Sequence, residues 1–433
     1  MLRCYRPREF SEQVLEHLVV PEMDPKMGQV VMDILRDVRE QGDSALLRYT
    51  RQFDGVDLSP EAIKVPDEAI GGAERALDPS LREILEQAID NLRRFHREEV
   101  PRSWHRLEED GRIMGQTVRP LRRVGLYVPG GRAVYPSSLL MNVIPAQMAG
   151  VSEIAVCTPP DAQGQVHPLV LAATALLDVA DVYRVGGAQA IGAMAYGTET
   201  ILPVDKIAGP GNAFVAAAKR LVFGQVDIDS IAGPSELTVI CDETSDPKWV
   251  AADLLAQAEH DPESRVFLLC TSSDHTQAIL ADIERQLTFL DRTEIIEEAF
   301  THWGAAVIGD VEELIALSNQ LAPEHLSLQV KDPWSLLLKI KNAGAIFLGK
   351  SAAVSFGDYT AGPNHVLPTA TTARFASPLS VEDFVKRTNF LYMSEDSAKR
   401  WASPTARLAD LEGLTAHARA ARLRGQQGEI QND

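Results

Sequence analysis

Four side chains of metal-ligand type stand far apart in this chain. Each lies in a short stretch too polar and irregular to be core: Gln257 and His260 in LLAQAEHDP, Asp358 in VSFGDYTAGPNH, and His417 in EGLTAHARAAR. A fifth stretch, NQLAPEHLSL, sets Glu324 beside His325 just after Pro323. An acid, a base and an oxygen/nitrogen donor set suited to a hard or borderline divalent cation are the parts of a metal-dependent active site.

Asp246-Pro247 has the form of a helix start, an N-cap followed by proline in the first turn, and Asp261-Pro262 the form of its end. Gln257 and His260, three apart, then share a face near the C-terminal end, where a chelating pair is held rigidly. An ordinary polar helix end carries the same residues, and glutamine is an uncommon metal ligand. The turn-rich segment VSFGDYTAGPNHVLPT holds Asp358, Asn364 and His365, with glycines that allow close approach to a ligand. Adjacent residues on a helix or strand point apart, so Glu324 and His325 need a turn to act in one pocket. A carboxylate there raises the imidazole's proton affinity, and either group suits general base work. A solvated pair at a helix start is the plainer alternative. Ser403-Pro404 reads as a helix start. On one continuous helix Glu412 and His417 would diverge by about 140°, unless Gly413 breaks it. His96 and His105, in charged stretches, are expected on the solvated surface.

Glycine-rich turns occur at VPGGRA, RVGGAQA, IAGPGNAF and IAGPSE, none as a GxGxxG placed directly after a strand. AGPGNAF does sit between a strand pattern and a helix pattern, where backbone N–H groups can receive phosphate oxygens.

The elements that must carry these residues follow from periodicity. To about Arg102 the chain reads helical, with a break at Gly42-Asp43 and Ser80 as an N-cap. From Leu121 strands alternate with helices: VGLYVP, EIAVCT, DVYRVG and DKIAG, then, after Gly233-Pro234, ELTVICD, RVFLLCT, AAVIG and GAIFLG. Such alternation implies two α/β domains with parallel sheets covered on both faces. From Ser377 only helical patterns are evident. At 433 residues two or three domains are expected. The net charge of -19 leaves no basic stripe for nucleic acid. There is no apolar run long enough for a membrane span and no signal peptide at MLRCYRPREF. Cys157, Cys241 and Cys270 lie in apolar runs, as buried reduced thiols do, and a reducing cytoplasm is expected.

Taken in order, RVGLYVPGGRAVYPSSLLMNVIPA, VGGAQAIGAMAYGTE, VDKIAGPGNAFVAAAKR, IDSIAGPSE, LLAQAEHDP, NQLAPEHL, GDYTAGPNHVLPT and LEGLTAHARAARLR, with GDSALLRYTRQFDG upstream, closely resemble the histidinol dehydrogenase family over nearly the whole chain. The resemblance implies oxidation of L-histidinol to L-histidine in two NAD-dependent steps, the last in histidine biosynthesis, with one zinc ion per site. By motif match the zinc ligands are Gln257, His260, Asp358 and His417, and the acid and base are Glu324 and His325. Ser235, His365 and Glu412 match substrate contacts, and Tyr127, Gln189 and Asn212 match cofactor contacts. It further implies a homodimer whose C-terminal residues cross to the partner's site. The expected fold is α/β, with two Rossmann-like parallel-sheet domains and small helical extensions: an N-terminal extension over 1–24, a cofactor-side domain over 25–233, a zinc and acid/base domain over 234–376 and a helical tail over 377–433. The stretch SAAVSFGDY departs from a more proline-containing form typical of the family, which bears on pocket shape. A dehydrogenase of the same fold acting on another polar alcohol, such as a sulfonated diol, is the alternative; a carboxylate at Glu412 suits an ammonium group and repels a sulfonate.

Overall fold

A computed structural model describes residues 2–18, 23–130, 135–231 and 233–426. The VPGGRA turn lies outside the described residues from position 131 on. The chain divides into two compact units, one of residues 1–99 and 121–384 and one of residues 100–120 and 385–433. In chain order the strands are β1 (Arg3–Tyr5), β2 (Trp104–Leu107), β3 (Arg112–Pro120), β4 (Arg123–Tyr127), β5 (Glu153–Thr158), β6 (Asp181–Arg184) and β7 (Lys206–Ala208). They continue with β8 (Asp227–Ile228), β9 (Glu236–Cys241), β10 (Arg265–Cys270), β11 (Ala305–Ile308), β12 (His325–Gln329), β13 (Ala345–Leu348) and β14 (Val385–Met393).

The first unit holds two parallel sheets, ordered β6-β5-β4-β7-β8 and β1-β11-β10-β9-β12-β13. Setting β1 aside, they are wound identically. The first strand of each series lies centrally, the next two add on one side and the last two on the other. The order therefore reverses between β4 and β7, and again between β9 and β12, the doubly wound arrangement. The strands are apolar runs because both faces are covered. Helices Pro25–Gln41, Gly187–Tyr196 and Ala213–Val222 pack on one face of the five-stranded sheet, and Pro79–Arg97, Pro136–Ala149 and Pro168–Leu176 on the other. Helices Pro247–Ala258, Ser273–Leu287 and Thr293–Trp303 cover one face of the six-stranded sheet, and Pro7–Gln13 and Val311–Leu321 the opposite one. The α/β fold with two Rossmann-like sheets is as expected, and Cys157, Cys241 and Cys270 are buried and unpaired.

Several local expectations change. Residues 3–5 form an edge strand paired with β11, so part of the N-terminal stretch belongs to the six-stranded sheet. Asp78, not Ser80, caps the helix Pro79–Arg97, accepting from the amides of Ser80 and Leu81. His105 is exposed on β2, but His96 is fully buried. Its Nδ1 meets Glu99 at 2.7 Å and its Nε2 meets Asn364 at 3.2 Å. The buried ring is satisfied by those two partners, which a charged local sequence does not disclose.

The second unit is an antiparallel sheet, β14-β3-β2, followed by helices Glu395–Leu411 and Thr415–Gly425, which pack on each other. A strand in the tail corrects the all-helical expectation: VKRTNFLYM is mostly exposed, so it lacks an apolar signature, and it is ordered by pairing with β3. Pro404 lies inside a helix that Ser394 caps, rather than starting one. Gly413, at φ +76°, does break the chain between the two helices. Among the described residues no helix is long and apolar enough to cross a membrane.

Candidate active site

His325 opens β12, so the acid/base pair stands at the amino edge of the six-stranded sheet, away from its carboxyl-edge crevice. The preceding turn is set by Ala322 in the left-handed region, φ 46°, and by Pro323. Both side chains of the pair are buried, with Glu324 7% and His325 5% exposed. One residue of β9, Glu236, holds both through its backbone. The Glu236 amide donates to Glu324 Oε2 at 2.7 Å, and the Glu236 carbonyl lies 2.9 Å from His325 Nδ1. A carbonyl only accepts, so Nδ1 carries the proton and Nε2 is the exchangeable nitrogen. Glu324 Oε2 lies 3.5 Å from His325 Nδ1, and Asp358 Oδ1 lies 3.6 Å from Nε2.

The charges of this cluster act on one another. Burial works against the His325 cation, but Glu324 and Asp358 outweigh it and push the imidazole up to about 10. Burial also opposes ionisation of Asp358, yet His325, then His365 and His260, hold its carboxyl below the usual range. Burial dominates at His365 and depresses its proton affinity. Glu324, His325, Asp358, His365 and His260 are thus gathered from three separate segments.

Asp358 sits on the short helix Val354–Tyr359, which approaches β13 closely because Gly357 faces the Phe347 ring. A Cβ there would lie 2.7 Å from a ring carbon. That helix packs against Pro247–Ala258, whose last turn carries Gln257. Asp246 and Pro247 open the latter helix as expected. It ends at Ala258, however, so His260 lies beyond it in the following turn and is exposed, while Gln257 is 3% exposed. The amide Nε2 of Gln257 is buried with no partner. Amide nitrogen and oxygen exchange by a flip, which would aim a ligand-type oxygen at that unsatisfied position. Among the described residues no three or more His, Cys, Asp and Glu side chains gather as a metal cage. Within the first unit the expected donor set is Gln257, His260 and Asp358. These three oxygen and nitrogen donors, one aimed at an unmet partner, fit a divalent cation that takes its remaining ligand elsewhere. Glu412 and His417 belong to the second unit, on either side of Gly413, and both are exposed.

The loop after Asp358 joins the two sheets. Asn364 donates to the Met141 carbonyl at 2.7 Å and meets the buried His96, tying the loop to the five-stranded layer. Further on, the Ala370 amide donates to Glu236 Oε1 at 3.1 Å, tying it to the six-stranded one. His365 lies between these anchors. Ser235 immediately precedes Glu236 and is half-buried.

Tyr127, Gln189 and Asn212 all lie at the carboxyl edge of the five-stranded sheet, where its strand order reverses. Tyr127 ends β4, accepts from the Gly187 amide at 3.1 Å, and is pushed up to about 12 by burial. Gln189 is buried with its Oε1 unpartnered. Asn212 caps the helix Ala213–Val222. Gly209, φ +112°, passes so close to the Tyr127 carbonyl that a Cβ would overlap it. An unmet polar atom, a helix N-terminus and a close backbone crossing at the switch point suit a dinucleotide.

Sequence reasoning missed Glu236, Arg265 and His96. Its available signal for the first two was a pair of opposite charges opening the buried runs ELTVIC and RVFLLC.

Comparison with known proteins agrees with the motif reading. The sequence model of the histidinol dehydrogenase family matches residues 21–425. The chain is 50% identical over 402 residues to histidinol dehydrogenase of Geobacillus kaustophilus, covering 93% of this chain and 94% of that one. It is 49% identical over 429 residues to the Chlorobium chlorochromatii protein of the same name, covering 98% and 99%. The crystal structure of histidinol dehydrogenase from Elizabethkingia anophelis superposes with a TM-score of 0.92 at 36% identity, over 98% of each chain. This chain is an oxidoreductase that belongs to the histidinol dehydrogenase family.

Proposed function

We propose that the chain oxidises L-histidinol through L-histidinaldehyde to L-histidine, passing two hydrides to two NAD+ in the last step of histidine biosynthesis. The observation that carries this reading is the buried Glu324–His325 pair, clamped by the backbone of one β9 residue and set beside Asp358. With Nδ1 fixed as a donor, His325 Nε2 is placed to take the hydroxyl proton as hydride leaves the carbinol carbon. Glu324, whose Oε2 is held by the Glu236 amide, keeps its other oxygen to activate water for attack on the aldehyde. Retention of the aldehyde between the two transfers keeps it from bulk water.

Gln257, His260, Asp358 and His417 would hold one zinc ion. When bound, the metal supplies a cationic anchor for the substrate's imidazole and amino nitrogens. If that metal engaged Asp358, one of the two carboxylates that raise the His325 proton affinity would be withdrawn, which would favour the neutral, basic imidazole. Tyr127, Gln189 and Asn212 would receive NAD+ at the switch point of the five-stranded sheet. Ser235 and His365 would line the substrate pocket, and Glu412 would pair with the substrate ammonium. We further propose a homodimer in which Glu412 and His417 of each subunit complete the other's site. This leaves 25–233 as the cofactor side and 234–376 as the acid/base side. Unpaired cysteines suit a reducing cytoplasm.

The sulfonated diol alternative draws no support from the Geobacillus kaustophilus and Chlorobium chlorochromatii relatives, both of which carry the histidinol dehydrogenase name. The test is stoichiometry. Consumption of L-histidinol should yield two NADH per substrate and no free aldehyde; one NADH with aldehyde accumulating would refute the four-electron reading.

A further inference from the structure

The side chains of Glu236 and Arg265 have no part in the steps above, yet each residue is only 4% exposed. They open adjacent parallel strands at matching register, and Arg265 Nη1 donates to Glu236 Oε1 at 2.9 Å. Burying such a pair gains little stability over apolar residues of equal volume, so stability alone does not account for it. Three connections converge on Glu236. Its amide holds Glu324, its carbonyl holds His325, and its carboxylate accepts from the Ala370 amide. Ala370 and Thr371 have φ of 52° and 65°, a strained region for such residues, and the Thr369 hydroxyl accepts from the Gly233 amide beside them. This turn begins at Thr369, a few residues past His365 on the same loop. From the outer side, the Arg265 guanidinium lies 5.1 Å over the Trp303 ring, and the Trp303 indole donates to Glu263.

We propose that Glu236, clamped by Arg265, is the positioning residue of this site. Its peptide groups orient Glu324 and His325, and its carboxylate fixes the turn that seats His365. The proposal rests on reading Glu324 and His325 as the acid and base. It predicts a pattern that loss of either of them alone does not give, since a shift of the Glu236 backbone misaligns both groups at once.

The test compares E236Q with the neutral pair E236Q/R265M in the zinc-loaded enzyme, measuring each half-reaction by single turnover. E236Q keeps an acceptor oxygen for both Arg265 and Ala370 but leaves the buried Arg265 cation without its counter-charge, so its folded fraction should drop while its kcat per folded site falls less than that of the double variant. The double variant loses the clamp but leaves no uncompensated buried charge, and is therefore expected to fold. Its kcat per folded, zinc-loaded site should fall about tenfold or more in both half-reactions alike, with the histidinol KM within about twofold. A merely structural pair would lower the folded fraction and leave kcat per folded site unchanged. A double variant with wild-type kcat, a loss confined to KM, or one that cannot fold at all overturns the positioning role. Failure of wild type to give two NADH per histidinol would instead overturn the functional reading itself.

Discussion

Glu324→Gln separates the two chemical steps. Glutamine keeps the shape and still offers an oxygen to the Glu236 amide, which now reaches Glu324 Oε2 at 2.7 Å. What disappears is the charge. At 3.5 Å from His325 Nδ1, with both side chains buried, the attraction is about 4 to 5 kcal/mol at an effective dielectric near 20, before desolvation is subtracted. Its loss returns His325 from about 10 toward its ordinary range, leaving the imidazole readier to accept the alcohol proton. The second step has no such compensation, because an amide cannot activate water. Removing a general base typically costs about 10²- to 10⁴-fold, or about 3 to 5 kcal/mol of barrier. A single-turnover stopped-flow assay with histidinol and excess NAD+ should show one fast NADH equivalent followed by a second slowed by that factor. Supplied histidinaldehyde should be oxidised equally slowly. Equal losses in both phases, or unimpaired aldehyde oxidation, would refute this division of roles.

Chelation of the metal should abolish turnover and added zinc should restore it; full activity in demonstrably metal-free protein excludes an essential cation. Mixing inactive H417A and H325A proteins under conditions of subunit exchange should recover activity, because one site of each hybrid dimer is then intact. Verified exchange with no recovery contradicts shared sites. In the metal-free protein, His325 binds its proton more tightly folded than unfolded. The stability it contributes is complete below about pH 6.5 and disappears as pH rises through about 10. The wild-type Tm should therefore decline across that window more steeply than that of E324Q; parallel curves would show that the Glu324 interaction does not raise the His325 proton affinity.

The strands of both parallel sheets were largely legible because burial on two faces writes long apolar runs such as ELTVIC and RVFLLC. The strand β12 was not, although it lies centrally. In HLSLQ the residues His325, Ser327 and Gln329 alternate with leucines, and this polar face is buried against the helix bearing Asp253 and Gln257. Gln329 donates to Asp253 at 2.7 Å, a partnership that only tertiary structure reveals. His96 misled for the same reason, since Asn364 reaches it from far along the chain. The nine-residue β14 likewise owes its form to a partner strand remote in sequence. Candidate site residues were recognisable because they interrupt apolar patterns with chemistry. Their clamp was not, because a peptide N–H and C=O leave no mark on residue type.

The most direct measurement is anomalous diffraction at the zinc edge from crystals grown with zinc and histidinol. One cation per site is expected, about 2.0 to 2.2 Å from donor atoms of Gln257, His260 and Asp358 and of His417 from a second subunit, with the carbinol carbon facing His325 Nε2. A cation bound away from these residues, or histidinol seated without approach to His325, would contradict the assignment.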